Sequence, residues 1–393
     1  MKEFPFWSRL PAFYALNIEN RREHLFSLPL NLSAKDFKSI DAGLSLSQAN
    51  VMTENVIATF ELPLSLATNF IINKKPLLVP MVTEEPSVVA ACSKMAKIVA
   101  ETGGFIASAD EQLLRGQLQI LDLPDLDKAQ EIFLKHRPYL INMLNENCIA
   151  MCKRGGGVKD INFRVLSSAK TGAMLILEPL VDVKDAMGAN MVNSLMEILA
   201  KEAHKVFGGQ IGLAILSNYC HERLARSYCK IPVSFLSDAI AKKMLAAHAL
   251  AEIDIYRATT HNKGIMNGID AVAIATGNDF RALEAAAHAY AYTKQNSLAL
   301  SDFRLDVTNT YLEASIELPI AVGVVGGNRG FHKAVDFAHK ILGEFANTNK
   351  NLASVMASVG LAQCLAAVFA LCSDGIQKGH MKLHEKKITQ KGV

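Results

Sequence analysis

The seven cysteines, Cys92, Cys148, Cys152, Cys220, Cys229, Cys364 and Cys372, include no CxxC pair. An odd, scattered set of this kind reads as reduced thiols in a cytosolic protein and argues against a zinc site. An excess of one charge is also lacking: Lys and Arg number 41, Asp and Glu 38, for a net charge of +3. Nothing there marks a surface for nucleic acid or another polyanion. No GxGxxG follows a first strand, so a Rossmann domain is not indicated. The start of the chain, MKEFPFWSRLPAF, mixes charges with two prolines and lacks the apolar region of a signal peptide. The stretch from Leu352 to Ser373 carries no charge and is long enough to cross a bilayer. Gly360, Gln363 and several Ser and Ala residues lower its hydropathy, and no companion span exists, so it reads as a buried core helix.

What remains is a globular composition, 50% apolar and 20% charged over 393 residues, enough for two or three domains. Short helical patterns fill residues 15–58, one opening at a Ser33 N-cap and closing on Gly43. The alternations Phe60–Leu62 and Phe70–Ile72 fit strands. The run LLVPMV reads as a strand, followed by an acidic loop and a helix opened by Pro86. Residues 112–218 then read strand, helix, strand, strand, helix, strand. That β-α-β-β-α-β order is ferredoxin-like, and Gly155-Gly156-Gly157 punctuates its first helix-to-strand turn. The fold class is therefore α+β: a large mixed domain (1–111 with 219–374), an inserted small domain (112–218) and a short tail (375–393). Residues 219–256 read as helical, HERLARSYC included. Alternating strands follow in 297–320, then the glycine-rich turn VGVVGGNRG and the helix HKAVDFAHKILG.

The stretch Arg257 to Arg281 concentrates polar groups around a short apolar run, Ala271–Ala275. That run is too short for a core helix and reads as a buried strand, with THNKG and TGNDF as loops at its ends. Lys263 and Asp279 on such loops would face either a cleft or solvent, and composition alone favours solvent. Similarly, Glu84 and Glu85 ahead of Pro86 suit a helix N-terminus with no further role. A glycine near a helix start, as in Asp185-Ala-Met-Gly-Ala-Asn190, serves a turn or lets a phosphate approach free N–H groups.

THNKGIMNGID and TGNDFRALEAAAHAYA, with ENVIATFELP, DAMGANMVN and GHMKLH, are similar in order and spacing to the signature segments of class II 3-hydroxy-3-methylglutaryl-CoA (HMG-CoA) reductases. The resemblance runs from about Ser8 to His384. It implies a two-step reduction of the HMG-CoA thioester to mevalonate and CoA by a reduced nicotinamide cofactor, or the reverse oxidation, with no metal. It assigns Glu85, Lys263, Asp279 and His380 to catalysis, with the first three in one hydrogen-bonded cluster. Ser87, Asn218, Arg257, Asn267 and Gln363 fall on substrate positions. Asp185, Met187, Gly188, Ala189 and Asn190 fall on the cofactor's phosphate site in the small domain. The family's closing flap would be reduced here to a short tail after His380. NADH-using relatives carry an Asp seven residues before the triple glycine. Cys148 stands at that position, so NADP(H) is the expected cofactor and NAD(H) a second choice. The resemblance also implies a cytoplasmic homodimer or larger even assembly, joined through ENVIATFELP and free of the membrane. Two other readings compete with it: a CoA-ester-binding protein without catalysis, and a nicotinamide-dependent reductase of another acyl-CoA.

Overall fold

The computed structural model describes residues 6–373. Three short helices open the chain: α1 (Ile18–Phe26), α2 (Ala34–Asp41) and α3 (Leu46–Met52). Ser33 and Ser45 begin the second and third with reciprocal capping boxes, satisfying donors that a helix start leaves free. Leu25, Leu30 and Phe37 from this region pack with Phe337 and Ile341 as a small satellite core. Residues 56–63 follow without regular structure, and the strand expected at Phe60–Leu62 is absent. Pairing starts only at β1 (Leu64–Ile72), which runs antiparallel to β2 (Lys75–Val82). A loop leads to α4 (Val88–Ala100), and β3 (Ile106–Ala109) closes this part.

Residues Asp110–Leu224 form one compact unit, and the described parts of Met1–Ala109 and Ala225–Val393 form another. The first of these units runs β4 (Leu113–Leu121), α5 (Leu126–Glu146), α6 (Ile149–Cys152), β5 (Gly157–Ser168), β6 (Gly172–Asp182), α7 (Ala189–Phe207) and β7 (Gln210–Leu216). Its sheet order, β5-β6-β4-β7, is antiparallel throughout and is that of a ferredoxin-like fold. Buried and half-buried residues alternate along β4, while α7 lines its inner face with Val192, Leu195, Met196 and Leu199.

The chain re-enters the larger unit through β8 (Leu224–Pro232). HERLARSYC was expected to be helical, but most of it is this strand. Ala225, Ser227, Cys229 and Ile231 alternate inward, a period of two that excludes a helix. Then come α8 (Val233–Leu236), α9 (Asp238–Ile253), α10 (Ile255–Ala275), α11 (Phe280–Thr293), β9 (Ser301–Leu305), β10 (Tyr311–Pro319), α12 (Lys333–Leu342) and α13 (Asn349–Cys372). The strands make a sheet ordered β3-β8-β10-β9.

The largest departure from expectation is α10. Ala271–Ala275 is not a strand between loops but the last turn of a 21-residue helix. THNKG lies inside that helix, and of TGNDF only Thr276–Asp279 forms the connection to α11. Ala258, Ile265, Ile269 and Val272 recur at helical spacing and are buried, so the apolar stripe extends well beyond the short run. α13 is buried on nearly all sides, as a core helix should be, and packs against α10. Gly360 makes that approach close: a methyl group there would come within 2.9 Å of Ile269 Cδ1.

Candidate active site

Asp254 starts α10 by accepting a hydrogen bond from the Arg257 N–H at 2.7 Å. The buried stripe then fixes the helix's rotation, and Lys263, Asn267 and Asp270 emerge together on the opposite side. Lys263 reaches the loop between β2 and α4, where its Nζ lies 3.2 Å from Glu85 Oε2. The pair is open to solvent, its side chains 57% and 39% exposed. Two residues on, Ser87 begins α4 in the left-handed region, with φ of 77°. Its Oγ is buried with no hydrogen-bond partner among the described residues. On α13, Gln363 is buried against Gly268 of α10, and its Oε1 also lacks a partner among the described residues. Two of the few unpaired buried oxygens thus belong to residues that the sequence resemblance placed at the substrate.

Asp279 makes other bonds. It caps α11, accepting from the Arg281 and Ala282 N–H groups at 3.1 and 3.2 Å. Among the described residues no hydrogen bond or ion pair joins it to Lys263 or Glu85. Within one chain the expected cluster of three is therefore a pair plus a helix cap. Arg257 lies in the first turn of α10 on the buried side, its guanidinium 3.5 Å from His261 Nδ1. Asn267 is half-buried one turn after Lys263. His380 lies outside the described residues.

Two polar networks around α10 escaped the sequence reading. His261 is buried, with Nε2 2.7 Å from Ser301 Oγ and 3.4 Å from Cys364 Sγ. Burial, helped by His248 and Arg257, pushes its pKa down to about 3, so it is neutral. On the other side, Asp270 meets Glu284 of α11, and Glu284 holds His288 Nε2 at 2.8 Å. Burial and the neighbouring Glu284 push Asp270 up to about 8. Glu284 is held low, first by its hydrogen bond to His288, and His288 is raised by the same bond. The i,i+4 spacing of Glu284 and His288 was visible in the sequence. Their meeting with Asp270 was not.

In the smaller unit, Gly188 precedes α7 with φ of 95°, and a side chain there would collide with Val183. No side chain caps the helix, and its first turn holds no acidic residue. Ala189 and Asn190 begin that turn. Met187 is held by its carbonyl, which accepts from Arg223 at 3.1 Å. Arg223 is fully buried, and its guanidinium also donates to Gln112 Oε1 at 2.7 Å. Asp185 lies in the turn before Gly188, and Asn218 is exposed just after β7. Such a helix start offers N–H groups and a side-chain-free approach to a phosphate. Cys148 opens α6, its Sγ 3.8 Å from that of Cys152, while Lys159 donates to the carbonyls of Gly155 and Gly156 at 2.9 and 3.1 Å. No group of three or more His, Cys, Asp or Glu suited to a metal occurs among the described residues.

Known proteins are similar to this chain in sequence and in fold. The 3-hydroxy-3-methylglutaryl-coenzyme A reductase of Archaeoglobus fulgidus is 43% identical over 384 residues, spanning 97% of this chain and 87% of its own. A probable reductase of the same name from Borreliella burgdorferi is 35% identical over 378 residues, spanning 95% and 84%. The class II reductase of Streptococcus pneumoniae, bound to NADPH in open conformations, superposes with a TM-score of 0.88 at 37% identity, covering 92% of this chain and 99% of that one. A family model described as hydroxymethylglutaryl-coenzyme A reductase matches residues 17–385. Lys263 and Glu85, paired across α10 and the loop before α4, lie within that match, and the chain belongs to this family of oxidoreductases.

Proposed function

We propose that this chain reduces HMG-CoA to mevalonate and CoA in two hydride steps, consuming two NAD(P)H and two protons per thioester. The observation that carries the reading is the Lys263–Glu85 pair at 3.2 Å, accompanied by unpaired buried oxygens on Ser87 and Gln363. The bound cofactor supplies the hydride. Each transfer turns a carbonyl oxygen into an anion, which the Lys263 ammonium stabilises. Glu85, already hydrogen-bonded to that ammonium, is placed to pass a proton to the same oxygen. Asp279 adjusts the charge around Lys263, and His380 protonates the departing CoA thiolate. Arg257 pairs with the free carboxylate of the substrate, while Ser87, Asn267, Gln363 and Asn218 bind the rest of it.

The start of α7, with Gly188 uncovered and Asp185, Met187, Ala189 and Asn190 around it, fits the phosphates of a dinucleotide. NADP(H) is the preferred form. Cys148 offers no carboxylate to repel a 2′-phosphate, and Lys153, Arg154 and Lys159 bring positive charge to the adjoining turn. The protein works as a cytoplasmic homodimer or larger even assembly. Ile57 and Phe60, in the irregular ENVIATFELP stretch, are 95% and 90% exposed in the single chain, as residues awaiting a partner would be. A monomer retaining full activity in light scattering would refute the assembly.

The deciding measurement is the loss of NADPH absorbance on mixing with HMG-CoA. Two equivalents should disappear per thioester, with kcat/KM higher for NADPH than for NADH. No consumption with either cofactor would overturn the catalytic reading. A clear preference for NADH would overturn the role given to Cys148.

A further inference from the structure

Lys263 has a second acidic neighbour that the chemistry above leaves unused. Asp270 follows it by two turns on the same side of α10, with Asn267 between them. Its Oδ1 is buried and has no hydrogen-bond partner among the described residues. Its carboxyl faces that of Glu284 on α11, close enough for the two to share a hydrogen bond. Glu284 is bound in turn by His288 at 2.8 Å, and the chain of groups ends at this partly exposed imidazole. Two carboxyl groups can share a hydrogen bond only if one of them holds a proton. Glu284 faces an imidazole that favours its charge, whereas the buried Asp270 Oδ1 accepts no hydrogen bond from any donor among the described residues.

We propose that Asp270 works as a neutral carboxylic acid, kept protonated by the Glu284–His288 pair, and that it is a positioning residue setting the charge around Lys263. This rests on the reductase reading given above. With Asp270 neutral, Glu284 is bound by His288, and Lys263 answers to Glu85 and to the substrate. If Asp270 ionised, an uncompensated negative charge would stand near the oxyanion formed at each hydride step and oppose it.

The titration directions agree with this arrangement. Asp270 is pushed up to about 8, Glu284 is lowered and His288 is raised. Glu284, ionised beside His288, opposes ionisation of the neighbouring Asp270. The charges acting on Asp270 are Glu284 from α11 and Lys263 from its own helix. The described residues of α4, α9, α12, α13 and β2, which also pack on α10, contribute none. The sign follows: the site is competent while Asp270 is protonated and loses activity as pH rises through its folded value.

Infrared difference spectra of the protein with isotope-labelled aspartate should show a protonated acid carbonyl at neutral pH that vanishes in alkali. The same band should be missing from Asp270→Asn. In kcat/KM against pH, each profile scaled to its own maximum, the wild-type alkaline decline should fall near pH 8. Asp270→Asn, fixed in the neutral form, should move that decline up by about one pH unit or more. Glu284→Gln removes the neighbouring negative charge, lowers the Asp270 pKa and should move the decline down. A side chain that only packs would leave these shapes unchanged. Absence of the acid band at neutral pH, or coincident alkaline limbs in all three proteins, would overturn the proposal. Failure of the wild type to turn over HMG-CoA would instead strike the reductase reading, and the infrared band would still report on Asp270.

Discussion

α10 presents polar side chains on two sides, and the fold treats them differently. On the buried side everything is paired. Asn262 donates to the Leu298 carbonyl at 2.8 Å and accepts from the Leu300 N–H at 3.1 Å, while His261 meets Ser301 and Cys364. These bonds fasten α10 to the segment that leads into β9. On the other side Lys263 meets Glu85 in partial contact with solvent, and Asp270 keeps an oxygen without a donor. The unpaired oxygens of Ser87 and Gln363 are the same kind of feature on neighbouring elements. A buried polar atom saturated by the protein holds the structure. One left unsaturated costs stability and is retained for what it does with a ligand.

The contrast is broken most severely by acting on charge alone. On the proposed mechanism, Lys263→Met should lower kcat/KM for HMG-CoA by about 10³-fold or more, since that mechanism assigns this cation to the oxyanion. Its partly exposed ion pair contributes at most about 1 kcal/mol to folding, so the melting temperature should barely move. Asp279→Asn makes the companion case. Asn caps a helix as well as Asp does. The α11 cap therefore survives, and a loss of about 10²-fold or more in kcat would come from the missing charge. A melting temperature that collapses in Lys263→Met would show that this side of α10 also holds the fold.

Asn262→Ala tests the buried side and should give the reverse result. It strands the Leu298 carbonyl and the Leu300 N–H, at a cost of about 1–3 kcal/mol in chemical denaturation. Its kcat/KM at a temperature where the protein is folded should stay within a few-fold of wild type. Loss of activity without loss of stability would place Asn262 with the catalytic residues and erase the distinction.

The same contrast explains what could be read from the sequence. The small unit was legible because its signals are local: β4 alternates, α5 begins at an Asp125 cap and α7 carries an inward stripe. α10 was not, because Thr-His-Asn-Lys-Gly and Met-Asn-Gly look like loop. The groups that make them acceptable inside a helix, Leu298, Leu300, Ser301 and Glu85, are distant in sequence. β8 hid its alternation for a related reason. Its buried face includes Ser227 and Cys229, and its outward face carries the amphipathic Arg226, Tyr228 and Lys230. Resemblance to a family pointed to Glu85 and Lys263, and the fold then paired them. It gave no hint of Asp270 and Glu284, whose relation exists only once α11 folds back beside α10.

The smallest effect offers the sharpest test, because its sign is unusual. Ser87 lies in the left-handed region with its hydroxyl buried and unpaired. If that hydroxyl served the fold, replacing it with Ala would destabilise the protein, as Asn262→Ala does. If instead it waits for substrate, Ser87→Ala removes a polar atom that the empty site leaves unsatisfied. Folding stability should then hold or rise by up to about 1 kcal/mol. Ala strains the backbone at this φ about as much as Ser does, so the change reports mainly on the hydroxyl. In the complex the same substitution deletes one hydrogen bond, and KM for HMG-CoA should rise by about three- to tenfold with kcat little changed. Denaturant titration and steady-state kinetics on one preparation measure both. A loss of stability comparable to that of Asn262→Ala, with KM unmoved, would place Ser87 among the structural residues and leave Gln363 as the remaining candidate of this kind.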